Sequence, residues 1–129
     1  MRDYHGRGMR GPALAAVPAR RSRAQRFDEL ALEITAAIAE PWTDRIGEVE
    51  LAVEEVPVLP EHWSGTVPLT TWIPGRGRTP SRMVLFRRPI EHRAETRAEL
   101  EAMLLTVVVE QLAEVLGIPA EDIDPGYES

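Results

Sequence analysis

The chain contains no cysteine. That excludes a disulfide framework, a thiolate metal site and a cysteine nucleophile. It also contains no lysine, so all 15 basic residues are arginine, an economy that says nothing about nucleic acid. Aromatic residues are only 5% of the chain, against 43% hydrophobic residues in all, so the core must be built from Leu, Val, Ile and Ala. No apolar run approaches the roughly 20 residues of a membrane-spanning helix. Residues 11–19 faintly imitate a signal-peptide core but are short, weakly apolar and broken by Pro12 and Pro18. A protein of the cytoplasm is the expectation.

What is present is unevenly charged. Residues 1–26 hold seven arginines and one aspartate, whereas residues 27–129 hold eight arginines and 20 acidic residues. A body of that sign repels a phosphate backbone, so nucleic-acid binding is not expected outside the N-terminal arm. Residues 1–21 are rich in Arg, Gly and Pro without any period and are expected to be a flexible arm. The remaining residues, 22–129, are enough for one domain with a modest core.

Within that domain, Ser22 and Gln25 have the spacing of a capping box and open a helix whose apolar stripe is Phe27, Leu30, Ile34 and Ile38. Pro41 stops it. Residues 49–54 alternate, which predicts a half-buried strand with Val49, Leu51 and Val53 facing inward. A loop over residues 57–66 is expected to carry Trp63 over the core. Residues 67–73 read as a second strand, on the sheet edge because of Pro68. A turn over residues 74–81 follows. Met83-Val84-Leu85-Phe86 is apolar throughout and reads as a central strand covered on both faces. Arg87-Arg88-Pro89 ends it. Thr96 and Glu99 make a second capping box for a long helix over residues 97–116, stopped by Gly117 and Pro119. The expected fold class is α+β, a small mixed sheet of three or four strands packed on two main helices.

The long helix is apolar around most of its circumference, as expected of a central helix. Glu110 and Glu114 interrupt it on one shared face, four residues apart, with Gln111 beside them. Like charges at that spacing repel by only about 0.2–0.5 kcal/mol when exposed, but burial would add several kcal/mol per ion. A solvent-lined notch, protonation, a metal or paired arginines would each resolve the conflict. Arg87 and Arg88, at the end of the central strand, are the candidate partners.

Val108-Val109-Glu110-Gln111-Leu112-Ala113-Glu114-Val115-Leu116-Gly117-Ile118 resembles the active-site helix of the zincin-like metallopeptidase family. In these small bacterial proteins the stretch usually reads His-Glu-x-x-His-x-x-Gly. The likeness extends upstream to Leu85-Phe86-Arg87-Arg88-Pro89-Ile90-Glu91, and downstream to Asp124-Pro125-Gly126-Tyr127, near the family's closing Gly-Tyr. It implies a minimal zincin-like fold for the domain. The resemblance places Glu110 and Glu114 where the family has its two histidine ligands, and Gln111 where it has its general-base glutamate. The family's acidic third ligand falls on Ala120, with Glu121 next to it.

Those replacements change the chemistry that the family would imply. Zinc held by neutral imidazoles stays net positive and acidifies its water, whereas two carboxylates neutralise it and favour harder cations such as magnesium, calcium or manganese. Gln111 cannot accept a proton. His62 and His92 lie far away in the sequence. Zinc is therefore expected by resemblance only. Three uses stay open: a non-catalytic relative whose cleft holds a peptide or protein partner or serves structure, a hydrolase with a different metal on Glu110, Glu114 and Glu121 or Asp122, and an interaction module working through the basic arm.

Overall fold

The computed structural model describes residues 2–4 and 22–127. Their element order is β1 (Arg2–Tyr4), α1 (Arg23–Ala39), a 3-10 turn (Glu40–Trp42), α2 (Thr43–Ile46), β2 (Val49–Glu54), β3 (Thr70–Ile73), β4 (Ser81–Phe86), α3 (Arg87–His92), α4 (Arg97–Leu116) and α5 (Ala120–Ile123). Four strands form one mixed sheet in the order β1-β2-β4-β3, with β2 and β4 parallel and the outer pairs antiparallel. The fold is α+β, as its sequence pattern predicts. Among the described residues no helix is long and apolar enough to cross a membrane.

Local chemistry sets the helix ends. The Ser22 side chain accepts from the Gln25 amide at 3.1 Å and Gln25 returns the bond at 2.9 Å, a complete capping box. At α4 the Thr96 hydroxyl accepts from the Glu99 amide, but Glu99 reaches back to the Glu95 amide instead of closing the box on Thr96. Gly117 ends α4 in the left-handed conformation, φ 69° and ψ 33°, which explains why glycine stands there. Pro41 falls in the 3-10 turn just after α1.

The alternation in β2 and β4 sorts their side chains between two faces. Leu51, Val53, Met83 and Leu85 point into the main core, where Phe27, Leu30 and Ala31 of α1 and Leu104, Val107, Val108 and Leu112 of α4 meet them. On the opposite face Ala52, Val84 and Phe86 form a second buried cluster. Burial on both faces accounts for the unbroken apolar run of β4. β3 begins only after Pro68, whose missing amide hydrogen cannot donate to a ladder, and it lies at the sheet edge.

Besides the open Thr96 box and the later start of β3, three details depart from the sequence-based expectations. Arg2–Tyr4, placed in the N-terminal arm, pair with Leu51–Val53 as an edge strand; the rest of the arm, Met1 and residues 5–21, lies outside the described residues. Trp63 does not cover the core but is 46% exposed on its loop. Arg87-Arg88-Pro89 does not merely end β4: it opens α3, with proline in the first turn, where its missing amide hydrogen costs no helical bond.

Candidate functional site on α4

The inner side of α4 is made by Leu104, Val107, Val108, Val109, Gln111, Leu112 and Ala113, all buried. The 100° step between successive helical residues then puts Glu110 outside while Gln111, 9% exposed, is inside. Glu114, one turn on, is exposed with Glu110. Of the four resolutions, opening of the face to solvent is the arrangement observed. No large desolvation cost arises.

The C-terminal segment folds back over this face. Ile118 bonds the Ala113 carbonyl at 3.1 Å, α5 follows, and Asp124 organises a turn by accepting from the Gly126 amide through its side chain at 3.1 Å and from the Tyr127 amide through its carbonyl at 2.9 Å. That turn delivers the Tyr127 hydroxyl to Glu110, where it donates a hydrogen bond to Oε2. The bond raises the Tyr127 pKa above the ordinary tyrosine value, with desolvation and the charges of Glu110 and Glu121 adding to it. Tyrosine stays a neutral donor facing a carboxylate. Glu121 is thus within electrostatic reach of Tyr127, while Glu114 has no hydrogen-bond or ion-pair partner among the described residues.

The expected arginine pairing is not there. Arg87 donates to both carboxylate oxygens of Glu55, with Nε–Oε1 at 3.1 Å, and its Nη1 reaches Glu91 at 2.6 Å. Arg88 touches Glu55 at 3.4 Å. Neither guanidinium pairs with Glu110 or Glu114. The reason is positional: Arg87 is the first residue of α3, so Glu91 lies one turn ahead and the end of β2 lies alongside. The Arg87 side chain is 13% exposed, and its pKa is raised chiefly by the Glu55 hydrogen bond, with the charges of Glu91 and Asp28 adding to this against desolvation. Glu55, half-exposed just past the end of β2, is accordingly the hub of an ion-pair cluster.

For metal ligation the described residues offer no group of three or more His, Cys, Asp or Glu that could hold an ion. His92 sits on α3 and lines a groove with Arg88 and Arg93 to which neither Glu110 nor Glu114 contributes. Sequence reasoning missed Tyr127 as the partner of Glu110; the Gly126-Tyr127 pair after a flexible-turn Asp124-Pro125 was its only signal. It also missed buried Asp28, whose position beside Phe27 and three residues before Ala31 places it on the inner side of α1.

The comparison with known proteins bears on this same segment. A family model described as zincin-like metallopeptidase matches residues 46–128, a span that begins at the last residue of α2 and includes Tyr127. The chain belongs to the zincin-like metallopeptidase family. No curated protein matches it. The family match thus covers β2, β3, β4 and α4, and the glutamates of α4 stand inside it.

Proposed function

We propose that this member of the zincin-like metallopeptidase family does not carry out zinc peptidase chemistry, and that it works in the cytoplasm by holding a peptide or protein partner or through its structure. The observation that carries this reading is the Tyr127–Glu110 hydrogen bond. At a position where the family has an imidazole ligand, the chain has a carboxylate already engaged by its own C-terminal segment. The donor set also fits zinc poorly: Glu110 and Glu114 supply negative oxygen where neutral nitrogen keeps the metal acidic. Gln111, at the general-base position, is an amide turned toward the interior and has no proton-accepting function. Glu121, at the third-ligand neighbourhood, makes no three-donor group with them among the described residues.

The test compares peptide hydrolysis by the natural protein with that of the triple variant Glu110→His/Gln111→Glu/Glu114→His, each with zinc and with chelator. The reading predicts no chelator-sensitive hydrolysis by the natural protein, and zinc binding only in the triple variant. Chelator-sensitive cleavage by the natural protein, lost on Glu110→Ala, would return the carboxylate-bound metal hydrolase as the better account.

A further inference from the structure

The loop between β2 and β3, residues 55–69, carries apolar side chains that the core does not take up. Val56 is 53% exposed and Val58 99%, and Trp63 and Val67 are exposed beside them. Pro57, Pro60 and Pro68 restrict the backbone of this segment, and the Trp63 amide closes a turn on the Pro60 carbonyl at 3.0 Å. The exposure therefore belongs to a stiffened segment, which loses little entropy on contact with a ligand.

Val56, Pro57, Leu59 and Val67 of this loop line a groove of about 540 Å³ together with Arg88 and Arg93 from the α3 side. Its lining contains no Asp or Glu. In a body with 20 acidic residues against eight arginines, that is a local reversal of sign. Arg93 has no ion pair among the described residues, and Arg88 is 68% exposed and engaged only through Nε, with Glu55. None of Glu110, Gln111, Glu114 and Tyr127 lines the groove.

We propose that this groove docks an extended segment of a partner protein that carries acidic residues beside apolar ones. The apolar loop offers burial, and the two guanidiniums select carboxylates by charge-assisted, bidentate hydrogen bonds. A basic segment is rejected by the same arginines. A nucleic acid has no apolar side chains to fill the loop side and meets an acidic body beyond the groove. The proposal does not depend on whether α4 holds a metal, so its failure and that of the preceding reading are separately visible.

The experiment pans a display library of random dodecapeptides against the full chain at physiological salt, then measures the most enriched peptide by fluorescence anisotropy. Enrichment of Asp or Glu together with Leu, Ile, Val or Phe is expected. The Arg88→Glu/Arg93→Glu variant should weaken that peptide by at least ~10-fold, and Val56→Ser should weaken it less. Arg93→Glu alone, which breaks no ion pair, serves if the double variant fails to fold. Enrichment without acidic residues, no enrichment, or affinity unchanged in Arg93→Glu and Val56→Ser overturns the proposal. So does sedimentation showing a dimer that Val56→Ser dissolves, since the groove then belongs to a second copy.

Discussion

Two clusters of charge flank the main core, and they solve the same problem in opposite ways. On α4, Glu110 and Glu114 share a helical face and stay in solvent, with a tyrosine hydroxyl as the only hydrogen-bond donor to either among the described residues. At the start of α3, Arg87 is largely withdrawn from solvent and held by Glu55 and Glu91, with Asp28 near enough to matter. Charge that is buried here is paired; charge that is unpaired here is wet. The segment with the most suggestive motif is therefore the energetically milder one, and the cluster with the larger structural role sits where the sequence shows only two arginines ending a strand.

Mutations can sharpen this contrast. The largest loss should come from the inner side of α4: Leu112→Ala removes a fully buried side chain from the core and should cost about 2–5 kcal/mol in urea denaturation. Arg87→Ala should follow at roughly 1–3 kcal/mol, because it removes the cation shared by Glu55, Glu91 and Asp28, the half-exposed Glu55 being partly screened and keeping Arg88. Glu110→Gln/Glu114→Gln, by contrast, should stay within about 0.5 kcal/mol, as exposed substitutions do. If the double glutamine variant proves as damaging as Arg87→Ala, the contrast between the two clusters collapses.

The smallest effect concerns pH. Tyr127 has a raised pKa because its neutral hydroxyl donates to Glu110. Its contribution to holding the C-terminal segment is full below the ordinary tyrosine pKa and is lost as pH rises through the higher folded value, where phenolate and carboxylate repel. The difference in phenolate absorbance between the natural protein and Tyr127→Phe isolates this one titration. Its midpoint should lie above that of free tyrosine and fall back toward it in Glu110→Gln. An unraised midpoint would remove the C-terminal segment from the account of the α4 face.

Much of the fold was legible because its signals are local and periodic. Ser22, Thr96 and Gly117 mark helix ends by hydrogen-bonding and φ requirements that few residues meet, and the alternation in β2 and the apolar run of β4 report which faces are covered. The site was legible only in part. The shared face of Glu110 and Glu114 follows from helical spacing, but their exposure depends on how the sheet and α1 meet α4, which spacing does not contain. The wheel of α4, apolar nearly all round, suggested burial on most sides, and the helix is buried so, leaving open only a polar edge beside the half-buried Leu105 and Val115. Partner choice was illegible for the same reason. Arg87 and Arg88 were matched to the carboxylates that needed partners, whereas the chain turns at Phe86 into α3 and brings Glu55 and Glu91 closer. The β2–β3 loop gave no periodic signal, so its exposed valines were visible only in three dimensions.

Metal content tests most directly whether Glu110 and Glu114 hold an ion. Protein purified without chelators and analysed for bound elements should contain zinc, manganese, magnesium and calcium well below one ion per chain, with Glu110→Ala no different from the natural protein. One tightly held divalent ion per chain, lost on Glu110→Ala, would contradict the account.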